Sequence, residues 1–260
     1  MAVLSVDIGN SHTVFGVHND DGKLEASYRI QTDRSACPDE LYVFVERSLA
    51  RDSIDFRKID AVVLGTVVPE LEHAWKRLFS DKMRFVIADY RASWGFRIAL
   101  PNPWQLGPDR MANAQGALKF GAPFIAIDAG TATTFDVVGK DSGGPVYLGG
   151  MICPGVGISM KALTQQTSRL PSVSLSRSAR GDFPVVASDT ESAIRGGVIR
   201  GFVAMVDGLV DAICEEKNFP KDIPVIATGG FSGYLRGLST RVTHFEPDLT
   251  LEGLYAISKH

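Results

Sequence analysis

The chain has 260 residues, enough for one large domain or two smaller ones, each with its own core. Its 45% hydrophobic and 22% charged residues are those of an ordinary globular protein, and a formal charge of −3 with a pI near 6.0 gives no overall drive toward nucleic acid or an anionic membrane. No apolar run reaches the roughly 18–20 residues of a membrane helix, and Asp7 interrupts the first apolar stretch, so no span and no signal peptide are expected, and the expected location is cytoplasmic.

In chain order, short apolar runs predict strands over Val3–Asp7, Thr13–His18, Leu24–Ile30, Ala61–Leu64, Phe85–Ile87, Phe124–Asp128, Thr133–Val138 and Val225–Thr228. Amphipathic segments predict helices over Asp39–Ala50, Pro69–Phe79, Asp109–Phe120, Val156–Gln166, Thr190–Glu216 and Leu249–Ile257. The alternation is that of an α/β protein. Ile194, Val198, Phe202, Met205, Leu209 and Ile213 recur at helical spacing, so one face of the long helix should be buried. Residues 168–187, rich in Ser, Arg, Pro and Gly, read as a long loop. Cys37, Cys153 and Cys214 are too widely spaced for a zinc site or a disulfide framework, and no HxH or HExxH pair is present.

An internal repeat is the most informative feature. Leu4-Ser5-Val6-Asp7-Ile8-Gly9-Asn10-Ser11-His12-Thr13 returns in outline as Ile125-Ala126-Ile127-Asp128-Ala129-Gly130-Thr131-Ala132-Thr133-Thr134, pairing Asp7 with Asp128, Gly9 with Gly130 and Thr13 with Thr134. Each copy is a strand ending in Asp-x-Gly, a tight turn and a second strand. Asp21-Gly22 and Asp141-Ser142-Gly143 offer a further turn into a third strand. Two copies imply two similar domains facing each other, divided as 1–118 and 119–260.

Glycine in such a turn lets backbone approach an oxyanion, and successive N–H groups form an anion-binding concavity. Asn10, Ser11, Thr13, Thr131, Thr133 and Thr134 add donors, and Asp7 and Asp128 place carboxylates where a cation accompanying phosphate is held. One such turn ends strands in many proteins; two in register point to a polyphosphate. Gly149-Gly150 with Pro154-Gly155, and Thr228-Gly229-Gly230, read either as close-approach points for a nucleotide or as plain turns before helices. No GxxxxGK[ST] string is present. Gly107-Pro108-Asp109-Arg110 opens a predicted helix, and Asp109 there is either an N-cap or a proton acceptor for an attacking hydroxyl. Arg110 fits capping less well, because a cation is disfavoured in a first turn, and it suits an acceptor's carboxylate.

Taken together, Asp7 to Thr13, Thr66-Val67-Val68-Pro69, Asn102-Pro103 leading to Gly107-Pro108-Asp109-Arg110, Asp128 to Thr134, Gly149-Gly150 with Pro154-Gly155, and Pro247 to Leu254 resemble the type III pantothenate kinases, over residues 4 to about 254. The resemblance implies an actin-like ATPase fold of two ribonuclease-H-like domains, each a mixed sheet flanked by helices. It implies phosphorylation of pantothenate by ATP, the first step of coenzyme A synthesis, with Mg2+ and a monovalent cation, K+ or NH4+. By correspondence, Asp7, Ile8, Gly9, Asn10, Ser11, His12, Thr13, Val14 and Thr131 contact ATP, and Asp109 is the proton acceptor. Gly107, Pro108 and Arg110 contact pantothenate, Asp128 holds the monovalent cation, and Thr190 contacts pantothenate from the second subunit of a homodimer. Leu100 stands where the family usually has Tyr, which alters one pantothenate contact. The alternatives are another small-molecule kinase of the superfamily and a nucleotide-binding regulator without turnover.

Overall fold

A computed structural model describes residues 2–79, 83–165, 170–175 and 183–259. It divides into two compact units, Met1–Lys119 with Asp248–His260, and Phe120–Pro247. The expected second domain of 119–260 therefore differs at its end, because the last helix packs on the first unit. Of the long loop expected over 168–187, residues 168–169 and 176–182 lie outside the described residues, as does Gln166 of the expected fourth helix.

In the first unit β1 (Ala2–Ile8), β2 (His12–His18) and β3 (Leu24–Gln31) form an antiparallel meander, and β4 (Ile59–Thr66) and β5 (Arg84–Ile87) extend the sheet in parallel on the other side of β1, giving the order β3-β2-β1-β4-β5. β1 is central, so both of its faces are covered. Leu4, Val6 and Ile8 pack with Leu41, Val45 and Leu49 of α1 (Pro38–Arg51) and Leu71 and Trp75 of α2 (Pro69–Leu78). Val3, with Ala61 and Val63 of β4, packs on Ala112 of α3 (Pro108–Ala117) and on Leu254 and Ile257 of α6 (Leu249–Ile257). A two-residue strand β6 (Arg97–Ile98) precedes α3. Helices α3 and α6 cross closely: a Cβ on Gly253 would overlap the Ala112 backbone, and one on Gly116 the Leu249 carbonyl.

The second unit repeats this topology. β7 (Phe124–Ala129), β8 (Ala132–Asp141) and β9 (Gly144–Pro154) form the meander, and β10 (Val225–Thr228) and β11 (His244–Phe245) lie parallel to β7, in the order β9-β8-β7-β10-β11. Ile125, Ile127, Phe135 and Val137 pack on α4 (Val156–Gln165) and on Ile194, Val198, Phe202, Val206, Val210 and Ile213 of α5 (Thr190–Lys217). Asp189 caps α5 by accepting from Ser192 N–H at 2.9 Å, and Asn218 ends it in the left-handed region. Two meanders each extended by parallel strands are the expected pair of ribonuclease-H-like domains. β9 is the third strand that the Asp141-Ser142-Gly143 turn offered, but Gly149 and Gly150, read as a close-approach point or a plain turn before a helix, lie within it, beside a register shift, and Gly149 has φ +115°.

Candidate functional site

In the first unit the carboxyl ends of parallel β1 and β4 share one edge, with Asp7 opposite Gly65 and Ile8 opposite Thr66. Ligands of open α/β sheets gather at such edges. The β1–β2 turn closes there: Gly9 N–H donates to the His12 carbonyl at 3.0 Å, leaving Asn10 and Ser11 at the tip. Thr32, just after β3, braces the turn. Its N–H donates to the Ser11 carbonyl at 3.1 Å and its hydroxyl to the Gly9 carbonyl at 2.7 Å. Thr13 Oγ1 lies 3.0 Å from Thr32 Oγ1. A hydroxyl carries one hydrogen and that of Thr32 is committed to Gly9, so Thr13 is the donor. Thr13 is 2% exposed, and its hydroxyl faces inward rather than onto a ligand rim. The Ile8 side chain is likewise in the core. Asp7, Gly9, Ser11, His12 and Val14 are half-buried and Asn10 is exposed, with Arg34 Nη2 donating to Asn10 Oδ1 at 2.8 Å.

The first turn of α3 reaches the same edge. A Cβ on Gly65 would stand 3.4 Å from Pro108, and one on Gly107 would stand 3.8 Å from Val67. The N-cap is Gly107, not Asp109. Pro108 supplies the fixed φ of the first helical position. Asp109 follows as a first-turn carboxylate whose Oδ1 accepts Arg110 N–H at 2.9 Å. Burial raises its carboxyl above the ordinary range, against the opposing pull of the Arg110 N–H and guanidinium. A carboxylate so placed takes up a proton more readily than one in water. Arg110 is half-buried beside it, and Leu100 is half-buried two residues after β6.

The second unit holds the matching turn, with Asp128 opposite Thr134 on one side and Thr228 on the other. Gly130 N–H donates to the Ala132 carbonyl at 3.0 Å, leaving Thr131 alone at an exposed tip. This turn is one residue tighter than the first. Asp128 follows Asp7 by 121 residues, but Thr134, opposite Asp128, follows Val14, opposite Asp7, by 120. Thr13 therefore matches Thr133, not Thr134 as the repeat suggested, and buried Phe15 matches buried Phe135. Two glycines line the turn. A Cβ on Gly155 would overlap the Thr131 and Gly130 carbonyls, and one on Gly229 (φ +87°) would overlap Asp128 Oδ1 and the Ala129 backbone. Gly155 also opens α4, whose positive end favours an anion. Thr133 and Thr134 have enclosed hydroxyls without a hydrogen-bond partner among the described residues. Thr190 is exposed in the first turn of α5.

Thr32 and Arg34 escaped the sequence reading. A β-branched residue at a strand end signals strand, and nothing in the pattern reveals which carbonyl its hydroxyl meets. No group of three or more His, Cys, Asp or Glu that would hold a metal is found among the described residues.

Comparison with known proteins agrees with this geometry. Two solved structures share the fold at low identity. An activator of 2-hydroxyisocaproyl-CoA dehydratase from Clostridium difficile, with bound ADPNP, is 16% identical with a TM-score of 0.56 over 100% of this chain and 95% of its own. A ROK family glucokinase from Streptomyces griseus, in complex with glucose and AMPPNP, is 14% identical with a TM-score of 0.50 over 99% of each chain. They establish the actin-like ATPase and sugar kinase fold. A curated relative, the type III pantothenate kinase of Acidiphilium cryptum, is 40% identical over 254 residues, 96% of this chain and 92% of its own. The family model for type III pantothenate kinase matches residues 3–212, which takes in both turns and the α3 N-terminus, and on that match the chain belongs to the type III pantothenate kinase family.

Proposed function

We propose that this chain transfers the γ-phosphoryl group of ATP to the primary hydroxyl of pantothenate, yielding 4′-phosphopantothenate and ADP in coenzyme A biosynthesis. Beyond family membership, the reading rests on the enclosed Asp109 carboxylate, beside Arg110 and at the same sheet edge as the Asp7–Thr13 turn. Asp109 orients the alcohol and accepts its proton as the new P–O bond forms and the bond to ADP breaks. Arg110 takes the pantothenate carboxylate in its guanidinium fork, and Gly107, Pro108 and Leu100, with Thr190 of the partner subunit, complete the acceptor contacts. Asp7 to Val14 and Thr131 contact ATP, with Ile8 and Thr13 doing so through backbone only, since both side chains face inward.

A divalent and a monovalent cation fit the donors present. Asp128 Oδ1 lies with the Ala129 backbone in a cradle that a Cβ at Gly229 would fill, an oxygen donor suited to K+ or NH4+. The absence, among the described residues, of a clustered carboxylate cage suits Mg2+ held mainly by phosphate oxygens and water. When bound, these cations offset the charge of the transferring phosphate.

We further propose a homodimer. Ile152 and Ile158 are 67% and 46% exposed, and Gly197 and Gly201 present open Cβ positions on α5, near Pro154 and Met205. Such a face suits a second copy of the chain. The same reading places the enzyme in the cytoplasm, its three free cysteines reduced. No helix among the described residues is long and apolar enough to cross a membrane. The decisive measurement is ADP release from ATP with and without pantothenate, in potassium and in sodium buffer. Release that depends on pantothenate and on potassium is expected. Release indifferent to pantothenate, or faster with a sugar or short-chain acid, would replace the reading with a rival kinase.

A further inference from the structure

We infer that Thr32 is a positioning residue for nucleotide binding, setting the direction of the phosphate-turn N–H groups from behind; the inference rests on the kinase reading above. Thr32 spends every polar group it can direct at the turn on that turn. Its N–H holds the Ser11 carbonyl, its hydroxyl hydrogen holds the Gly9 carbonyl, and its hydroxyl oxygen receives the Thr13 hydrogen. The result is a part-buried relay, Thr13 Oγ1–H to Thr32 Oγ1–H to Gly9 C=O, rooted in the buried Thr13. In a trans peptide the carbonyl and the following N–H point in opposite directions. Holding the Gly9 carbonyl toward Thr32 therefore aims the Asn10 N–H the other way. Gly9 N–H itself is committed to His12, and the Thr32 hydroxyl decides the direction of the Asn10 peptide.

The second unit supplies an independent argument. Counting from the paired strands, Gln31 lies opposite His12 and Pro154 opposite Ala132, so the next residues, Thr32 and Gly155, occupy equivalent positions. Gly155 has no side chain, and its backbone lies directly against the Gly130 and Thr131 carbonyls. Both units thus fix the carbonyl of the turn glycine from the same position. One uses a hydroxyl, the other a bare α-carbon. A threonine that served only the strand would have no reason to face the turn glycine at this matched position. Arg34, two residues on, holds the Asn10 side chain and so fixes the other half of the same residue.

The test is Thr32→Val, which keeps shape and removes the hydroxyl, beside Thr32→Ser, which keeps the hydroxyl. Binding of a non-hydrolysable ATP analogue, both KM values, kcat and Tm are measured on the full chain, with wild-type pantothenate-dependent ADP release as reference. Thr32→Val is expected to weaken analogue binding and raise KM for ATP by about tenfold, the scale of a lost part-buried hydrogen bond. KM for pantothenate should stay within about twofold, and Thr32→Ser should recover most of the loss. Unchanged nucleotide affinity in Thr32→Val, or equal impairment of both variants, overturns the inference. Should Thr32→Val not fold, Thr32→Ala carries the same expectation without β-branched bulk. If the wild type binds the analogue but shows no pantothenate-dependent release, the kinase reading fails while the analogue titration still decides the role of Thr32.

Discussion

The two turns share one sequence pattern yet are held in different ways. The first is a two-residue tip backed by the hydroxyl relay of Thr13 and Thr32. The second is a one-residue tip pressed between the bare backbones of Gly155 and Gly229, with the hydroxyls of Thr133 and Thr134 left without partners among the described residues. A relay tolerates small movements of its donors, whereas backbone contact does not. The first unit also carries the acid of α3, so the adaptable turn lies beside the group proposed to meet the acceptor, and the rigid turn lies beside the proposed cation ligand Asp128.

The largest break in this comparison is expected from Asp109. Asp109→Asn should leave the fold intact and lower kcat by about 10²-fold or more, as for a positioned base. Near-wild-type turnover would remove Asp109 from the reaction. Because burial raises its carboxyl, the acid limb of the rate profile should fall at a higher pH than an ordinary carboxylate would give.

A second expectation uses a matched pair of core positions. His18 ends β2 where Val138 occupies β8, and both are fully buried. His18 stacks on Tyr255 with ring centroids 4.4 Å apart, its Nδ1 lies 3.4 Å from Ser5 Oγ, and its Nε2 has no partner among the described residues. Burial lowers its pKa from 6.5 to about 4. The unfolded chain therefore binds the proton first as pH falls, and stability present above pH 6.5 is lost toward pH 4, by roughly 3 kcal/mol. Urea midpoints of wild type and His18→Val between pH 7 and pH 4 should diverge by that order, with the variant flatter. Parallel curves would show that His18 does not titrate in the core.

Gly155→Ala should come next. A methyl group there overlaps two carbonyls, so about 1–3 kcal/mol of stability is expected to go, with weaker ATP-analogue binding. An unchanged Tm would mean that the turn is softer than its contacts imply. The smallest effect is expected from Thr133→Val, which removes a hydroxyl with no partner among the described residues. Stability should stay level or rise by up to about 1 kcal/mol, whereas Thr13→Val, which breaks the relay, should lower it by about as much. Equal losses from the two would erase the distinction between the turns.

Much of this architecture is legible in the sequence because burial imposes a period. The runs of β1, β4, β7 and β10 and the helical spacing of α5 announce themselves, and the Asp-x-Gly repeat marks both turns. What stays hidden is whatever depends on a single residue of register. A constant offset pairs Thr13 with Thr134, and only the tighter second hairpin reveals Thr133 as its partner. The length of the third strand escapes, because Gly149 and Gly150 carry no side-chain signal, although a strand tolerates them at a bulge. Gly107 rather than Asp109 caps α3 because the preceding chain enters with an extended glycine, a backbone detail that residue preference does not foresee.

Helix α6 returns from the far end of the chain to complete the first unit, and this fixes an order of events during synthesis. Phe120–Pro247 is one continuous stretch whose interior is built from its own residues, so it needs nothing made later. The earlier-made unit must wait, because Leu254 and Ile257 are needed to cover Val3, Ala61 and Val63. Truncation by a dozen C-terminal residues would thus cripple the half of the enzyme translated first, leaving the later half able to mature alone.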